Sequence, residues 1–263
     1  EFRKLTLAEA GMSSSEEEGE ALETDARAQP AIVMLDEKHG NRYMRIVEQK
    51  GLGEKGEVRW LIKDLHEELK AWGYPGGGGN SLIIKTDGEP AIVAVREALA
   101  KLHGGDVTPE QPPRGEHASN GAVEEAGRTV RDTLRVYKLH LEDQIGKSLD
   151  VDSPVVQWMA RWAAMALSRF KVGKDNKTAY ERQRGRRCRI DTVPFGEKVW
   201  FRQLTSSDGK KRSLQSKWKE GIWLGHCRES NEVWIGCGSE AVRAWSVRRR
   251  VPKERWDSNA ISQ

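Results

Sequence analysis

The chain has few cysteines and no long apolar run. Cys188, Cys227 and Cys237 have no paired spacing, so they indicate neither a disulfide framework nor a zinc site, and a reducing compartment is expected. His226 beside Cys227 could form half of a zinc site, but no second pair of ligands accompanies it, which favours ordinary strand residues. No apolar stretch approaches the roughly 18 residues of a membrane-spanning helix, and the charged start lacks the apolar segment of a secretory signal. These absences indicate neither a disulfide scaffold nor a transmembrane helix.

The composition predicts a soluble globular protein with one sizeable core and a smaller module, since 37% of the 263 residues are apolar and 32% are charged. The net charge of +4 hides an asymmetry: residues 169–263 carry +12, and residues 1–168 carry −8. The basic part suggests contact with nucleic acid. Its densest cluster is Arg182, Arg184, Arg186, Arg187 and Arg189, and Arg248, Arg249 and Arg250 form a second. Either cluster could instead be a solvated face or a nuclear-import signal.

Two acids, Asp87 and Glu124, stand out, with 36 residues between them. The apolar run at 81–85 predicts a buried strand, so Asp87 follows the strand end, the edge where open α/β sheets bind ligands. Glu124 opens a predicted helix whose apolar residues recur at spacings of three and four. The charged side of that helix carries four cations at the same spacing: Arg128, Arg131, Arg135 and Lys138.

Carboxylates brought together repel and raise each other's pKa, so such a cluster is usually stabilised by a divalent metal. Hard oxygen ligands that retain several waters favour Mg²⁺ or Mn²⁺, and two such ions can activate a hydroxyl and stabilise the leaving oxygen in phosphoryl transfer. We therefore predict that Asp87 and Glu124 are catalytic and metal-binding, and that the cations on the helix hold a phosphate backbone. Because the chain has 40 acids, spacing alone leaves solvated surface acids open as the alternative.

Longer blocks around these acids resemble the retroviral and retrotransposon integrase core, and in particular the copia-type retrotransposon polyprotein. They read Thr-Asp-Gly-Glu-Pro-Ala-Ile at 86–92, Ser-Asn-Gly-Ala-Val-Glu-Glu-Ala at 119–126, Lys-Thr-Ala-Tyr-Glu-Arg-Gln-Arg-Gly at 177–185, Pro-Phe-Gly-Glu-Lys-Val-Trp at 194–200 and Gly-Ile-Trp-Leu-Gly at 221–225. Together they cover roughly residues 30–257, in the family's order. The resemblance implies an RNase H-like core with three metal-binding acids that cuts and joins DNA strands when a copy of the element is inserted.

The same resemblance implies the cofactor, the partners and the compartment. The cofactor would be Mg²⁺ or Mn²⁺, the partner DNA, and the assembly a homo-oligomer on DNA without a membrane. The site of action would be the nucleus, with a cytoplasmic particle before import as a further compartment. The histidine and cysteine zinc module that precedes the core in retroelement integrases is not found in this sequence.

The family's first acid, an Asp in the middle of the first strand, is not evident. If the second strand lies at 30–37, only 1–7 is left for the first, and Glu1 falls near the missing position. Glutamate could bind metal, but its extra methylene at the chain start would misplace it, and an error of about 1 Å costs on the order of a hundredfold in rate. Asp36, at the end of an apolar run, and Asp25, in a linker, are the fallbacks.

The predicted fold class is α/β, an RNase H-like mixed five-stranded sheet with flanking helices, followed by a small all-β barrel. The predicted domains are a catalytic core at 1–170 with an acidic insertion at 13–29, a basic connector at 171–194, and a DNA-binding barrel at 195–257. Short alternating runs from Phe195 onward predict the barrel strands. Six of the ten tryptophans lie between 200 and 256 and supply its buried area, with Trp200 and Trp256 left open between core and surface.

Other patterns complete the outline of the core. Apolar residues at helical spacing predict helices over 58–72, 90–103 and from 153 onward, with Trp158 and Trp162 in the core. A third strand is predicted at 42–49, and the strand, helix, strand order that follows implies a parallel pairing. The proline-rich stretch 106–119 is predicted to be a loop.

Three functions remain open from the sequence. The first is an integrase-like DNA strand transferase of a retrotransposon. The second is a catalytically inactive nucleic-acid-binding module of the same descent, because the first Asp is missing. The third is a different RNase H-like nuclease. The start of the chain inside a strand favours a piece of a longer polyprotein.

Overall fold

A computed structural model of the chain describes residues 3–12, 29–52, 59–77, 81–111, 120–203 and 216–261. The strands are β1 (Arg3–Met12), β2 (Gln29–Asp36), β3 (Arg42–Ile46), β4 (Leu82–Thr86), β5 (Val107–Glu110), β6 (Lys198–Gln203), β7 (Lys219–His226), β8 (Val233–Cys237) and β9 (Glu240–Arg249). The helices are α1 (Arg59–Ala71), α2 (Pro90–His103), α3 (Gly121–Ile145), α4 (Pro154–Phe170), α5 (Ala179–Arg184) and α6 (Ser258–Ile261).

The first five strands form one mixed sheet in the order β3-β2-β1-β4-β5. β1 lies at its centre, antiparallel to β2 and parallel to β4. β2 and β3 are antiparallel, and β4 and β5 are parallel. Since β1 and β4 run in the same direction, their carboxyl ends meet at one edge of the sheet, which is where Asp87 follows β4.

Helices α1 and α2 cover one face of the sheet. Each carries an apolar stripe at helical spacing, and this stripe packs on the sheet. Leu5 and Leu7 of β1 point to this face and are fully buried. The helix residues of the same core are Leu61, Leu65 and Leu69 of α1 and Ile92, Val95 and Leu99 of α2. α2 begins at a proline, which suits the first helical turn because that turn has no partner for a backbone N–H.

The other face of the sheet is covered by the start of α3 and the end of α4. Gly127 of α3 faces Val33 of β2, and a Cβ added to Gly127 would lie 3.5 Å from the Val33 side chain. Ser168 of α4 accepts a hydrogen bond from the Arg42 backbone N–H at 2.8 Å. β2 is therefore buried on both faces, which explains its continuous apolar run.

The last four strands form a closed antiparallel barrel in the order β6-β7-β8-β9. Alternate residues point inward, among them Val199, Phe201 and Ile235, which are at most 1% exposed. Trp223 is fully buried and packs edge to face on Trp162 of α4, with 4.8 Å between the ring centroids. The predicted core role of Trp162 is thereby confirmed.

This topology confirms the predicted fold class: a mixed five-stranded sheet with flanking helices, followed by a small all-β barrel. Three details of the prediction are wrong. β1 runs on to Met12 instead of ending at residue 7, β5 occupies part of the predicted loop at 106–119, and the parallel partners of β4 are β1 and β5, not β3. Residues 13–28 of the acidic insertion, Glu1 and Asp25 lie outside the described residues.

The chain divides into two compact units. One comprises Glu1–Thr133 and Ala163–Cys188, and the other comprises Leu134–Trp162 and Arg189–Gln263. The first holds the five-stranded sheet and the second holds the barrel. The predicted domain bounds stay a prediction. Within the described ranges, no helix combines the length and the apolar character needed to cross a membrane.

Candidate metal and nucleic-acid site

Asp87 lies where the sequence places it, one residue beyond the carboxyl end of β4. The preceding residue, Thr86, points to the α2 face of the sheet, where its hydroxyl accepts a hydrogen bond from Arg96 at 3.0 Å. Because side chains alternate along a strand, Asp87 follows on the opposite face, the one that α3 covers. Its Oδ1 accepts a hydrogen bond from the Glu89 backbone N–H at 3.3 Å, which leaves most of the carboxylate available to a ligand.

Glu124 lies in the first turn of α3, and its side chain is exposed. Its neighbours Val123 and Ala126 are buried, so the helix turns its apolar side to the protein and Glu124 away from the core. Gly127 lies one turn later and brings this part of α3 close to Val33. The helix start is thus held on the sheet face to which Asp87 also belongs.

The centre of β1 supplies no acid to this face. Val33 pairs with Ala8 in the antiparallel ladder, and Leu7 pairs with Thr86 in the parallel one. Continuing the parallel register by one residue sets Ala8 beside Asp87, and Ala8 shares the α3 face with its partner Val33. Ala8 therefore occupies the strand position from which a third carboxylate would join Asp87 and Glu124.

The family resemblance implies a divalent metal. Hard cations need several oxygen ligands, and the implied site uses three acids. Within the described ranges, no group of three or more His, Cys, Asp or Glu side chains is close enough to hold a metal ion. The residues that the structure describes therefore do not complete the expected site.

Asp36, one of the two fallback acids, has a structural role. It is fully buried at the end of β2, and both carboxylate oxygens are engaged. Oδ1 accepts hydrogen bonds from the Lys38 N–H at 3.1 Å and the Tyr74 hydroxyl at 2.9 Å. Oδ2 lies 2.7 Å from His39 Nδ1 and accepts a bond from Asn41 at 3.1 Å. A carboxylate with this many partners holds the β2–β3 turn in place, and a metal would have to displace them.

Glu9 is a buried acid that sequence reasoning missed, because it ended β1 at residue 7. Its side chain is 4% exposed and lies on the other face of β1, in line with Leu5 and Leu7. Oε1 accepts a hydrogen bond from the Gly51 N–H at 3.3 Å, and Oε2 lies 3.7 Å from Lys50 Nζ. Burial raises the pKa of this carboxyl above its usual range. Period-two alternation continued past Leu7 would have indicated it.

The predicted cationic stripe lies on α3, as the spacing required. Arg128 Nη1 is 3.6 Å from an acid three residues earlier, and about two thirds of its side chain is exposed. Lys138 Nζ contacts an acid four residues later at 2.6 Å. Arg131 and Arg135 complete the stripe. Their contact with nucleic acid stays a prediction.

Two members of the first arginine cluster, Arg182 and Arg184, make hydrogen bonds to other parts of the chain. The guanidinium of Arg182 makes two hydrogen bonds to Asp175, at 2.6 and 2.8 Å, and a third to the His39 carbonyl at 2.8 Å. This pairing holds the pKa of the Asp175 carboxyl well below its usual range. Arg184 donates to the Ala71 carbonyl at 2.8 Å. These two residues fix α5 and the segment before it, so a phosphate contact by Arg182 would compete with its hydrogen bonds to the protein.

The other members of that cluster are exposed. Arg187 Nε lies 3.7 Å from Glu181, and the Arg187 side chain is 74% exposed. Arg186 and Arg189 are also exposed on the segment after α5. Their contact with nucleic acid stays a prediction.

The second cluster is largely used by the barrel itself. Arg249 makes two hydrogen bonds, at 2.6 and 2.8 Å, to Glu197, which is fully buried. Arg250 donates to Glu254 at 2.5 Å. Arg248 lies over the face of an indole ring.

No family model matches this chain, and no curated protein matches it. Among solved structures, a chain of the simian T-cell lymphotropic virus intasome in complex with the PP2A regulatory subunit B56 gamma is similar to it at 15% identity. The similarity covers 94% of this chain and 78% of that one, with a TM-score of 0.44. The HTLV-2 integrase catalytic core domain in complex with magnesium is similar in two forms, each at 14% identity over 68% of this chain. The trimeric form is covered to 95% with a TM-score of 0.43, and the dimeric form to 94% with a TM-score of 0.42. The fold assignment above rests on the topology of this chain.

Proposed function

We propose that this chain is an integrase-like nucleic-acid-binding protein of copia-type retrotransposon descent, catalytically inactive because the first of the three metal-binding acids is replaced by Ala8. The observation that carries the proposal is the β1–β4 register, whose last pair is Leu7 and Thr86 and which, continued by one residue, would set Ala8 beside Asp87. A methyl group has no lone pair to offer a cation. Two carboxylates remain where three are expected.

The two remaining acids are supported by their surroundings. Asp87 ends a buried parallel strand at a ligand-binding edge, and Glu124 opens a helix whose solvent-facing side is basic. A divalent metal at such a site would supply Lewis-acid stabilisation of a transferred phosphoryl group. Without the third acid, the roles left to this chain are those of its cations, which bind a phosphate backbone through charge.

Nucleic-acid binding is supported by the distribution of charge. The C-terminal 95 residues carry a net charge of +12, and Arg186 and Arg189 are exposed within that region. We propose DNA as the partner, the nucleus as the place of action and a homo-oligomer as the assembly on DNA. Affinity governed by phosphate contacts should fall steeply as salt rises.

The experiment that tests the missing acid is Ala8→Asp, assayed for nicking and strand transfer on a short DNA duplex with Mg²⁺ or Mn²⁺. We expect the unchanged chain to be inactive and A8D to gain metal-dependent activity, which is lost again in A8D/D87N. Ala8→Asn is the matched control, since it has nearly the same shape as Asp without the charge, and it should stay inactive. Inactivity of A8D with DNA affinity retained would show that more than the first acid is missing.

The second candidate is an active DNA strand transferase, favoured by the placement of Asp87 and Glu124 on the elements that the family resemblance implies. It predicts activity in the unchanged chain. That activity should vanish in Asp87→Asn while DNA affinity stays the same. Such a result would overturn the proposal that Ala8 silences the site. Nicking without joining would instead indicate a different RNase H-like nuclease.

A further inference from the structure

The outer surface of the barrel carries a cleft between two tryptophans. Trp200 of β6 pairs across the strands with Arg248 of β9. Trp218 lies just before β7, and with Ser216 these residues line a cleft of about 270 Å³. All four side chains belong to the same compact unit.

These tryptophans are not part of the barrel core. Val199 and Phe201, on either side of Trp200, are at most 1% exposed and point inward. Since side chains alternate along a strand, Trp200 points outward, and both Trp200 and Trp218 are only half-buried. A folded barrel gains little from two indoles at its surface, so their cost in exposed apolar area suggests a binding role.

The charge in the cleft comes from Arg248. Its guanidinium lies over the Trp218 ring, 4.6 Å from the centroid. Across the described residues, no acid forms an ion pair with it. By contrast, Arg250 lies 4.8 Å from the Trp200 ring centroid but contacts both Glu220 and Glu254. Each of the two indoles therefore has a guanidinium over its ring, and of these two cations only Arg248 makes no ion pair with an acid that the structure describes.

We propose that this cleft binds an unpaired nucleotide of a DNA strand, with the base stacked on Trp200 or Trp218 and the phosphate held by Arg248. Aromatic platforms beside a positive groove bind single strands with little sequence preference, because every base has a planar face to stack. Arg248 would repel a cationic ligand such as a modified lysine. A proline-rich peptide would use the indoles but leave the guanidinium without a function. The inference rests on the proposed function in that the partner is DNA, and it adds which form of DNA the barrel binds.

The test compares the binding of a labelled oligo-dT strand and of a mixed-sequence duplex of equal length to the full chain, measured by fluorescence anisotropy. We expect Trp200→Ala and Trp218→Ala to weaken single-strand binding by about 5- to 150-fold, the range for losing one stacked base, and to change duplex binding less than about twofold. Trp200→Phe and Trp218→Phe should keep most of the affinity because phenylalanine also stacks.

Arg248→Met should lower the slope of log K against log salt by about 0.7 for the single strand, the value for one lost phosphate contact.

The matched control is Trp60→Ala. Trp60 of α1 is 47% exposed and also carries an arginine over its ring, Arg45 at 5.6 Å, but it does not line the cleft. Its replacement should leave single-strand binding unchanged. Thermal unfolding of each variant separates a lost contact from a lost fold.

Three results would overturn the inference. They are equal losses on single strand and duplex, full affinity in the Trp→Ala variants, and binding of a proline-rich peptide in place of the single strand. A failure of the proposed function looks different: neither form of DNA would bind the unchanged chain. Single-strand binding that depends on Trp200 and Trp218 without any duplex binding would support the cleft and limit the proposed function to unpaired DNA.

Discussion

At the scale of single residues, two buried acids have structural roles: Asp36, which the sequence offers as a fallback metal ligand, and Glu197. Asp36 is fully buried with both oxygens engaged, and so is Glu197, whose carboxylate receives both donor groups of Arg249. Arg255 approaches Glu197 as well, at 3.5 Å. Glu197 belongs to the block at 194–200, so part of what makes that block similar to the family is a buried ion pair of the barrel.

Arg249→Met should lower the free energy of unfolding by about 3 kcal/mol, because removing one partner of a buried pair leaves an uncompensated charge. We expect the low end of the range since Arg249 is 43% exposed and Arg255 remains nearby. Urea unfolding of the full chain, followed by tryptophan fluorescence, measures the change. The control is Arg128→Met, which breaks an exposed helix pair and should cost less than about 0.5 kcal/mol. Equal losses in the two variants would mean that water reaches Glu197.

At the scale of elements, the contact between α1 and α2 contains two buried histidines. The rings of His66 and His103 meet edge to face, with 5.5 Å between centroids. Burial lowers the pKa of both, and for His103 the neighbouring His66 adds to the effect, as does Lys70 for each. Glu67 acts in the opposite direction on His66. The neutral rings are therefore the forms that the folded chain prefers.

This contact should make stability depend on pH. A folded pKa below the unfolded value of about 6.5 means that the unfolded chain binds protons more tightly. The contribution is complete above pH 7 and is lost as pH falls through 6.5 towards the lowered folded values. His66→Leu/His103→Leu should flatten the slope of unfolding free energy against pH between 7 and 5.5. An unchanged slope in the double variant would contradict the assignment.

At the scale of the whole molecule, the elements with strong periodicity could be predicted and the weakly patterned ones could not. β2, α1 and α2 combine apolar repeats with clear stops. The end of β1, from Ala8 to Met12, has small and polar residues with no strong strand formers, and β5 contains Pro109, which an edge strand tolerates but a pattern search rejects. The elements of Asp87 and Glu124 follow from local sequence. The position of Ala8 beside Asp87 follows from register between distant strands, which local patterns do not encode.

The cations of the basic region differ in how strongly other groups of the protein hold them, which matters for the proposed contact with DNA. Arg186 and Arg189 are exposed, whereas Arg182 is held by Asp175 and the His39 carbonyl. Arg186→Ala/Arg189→Ala should reduce the slope of log K against log salt for a duplex by about 2, at roughly 0.9 for each lost phosphate contact, and leave unfolding unchanged.

Arg182→Ala is the counterpart in the same cluster. It should lower the free energy of unfolding, because the His39 carbonyl loses its donor, and leave the salt slope nearly unchanged. Salt titrations of duplex binding, run beside urea unfolding, measure both quantities for each variant. If Arg182→Ala reduced the slope as much as one of the exposed arginines does, the guanidinium would leave Asp175 for phosphate when DNA binds. The sequence pattern does not distinguish Arg182 from Arg186 and Arg189. A difference between them in salt slope and in unfolding free energy would therefore show that the described contacts, and not the basic composition, determine the proposed DNA-binding surface.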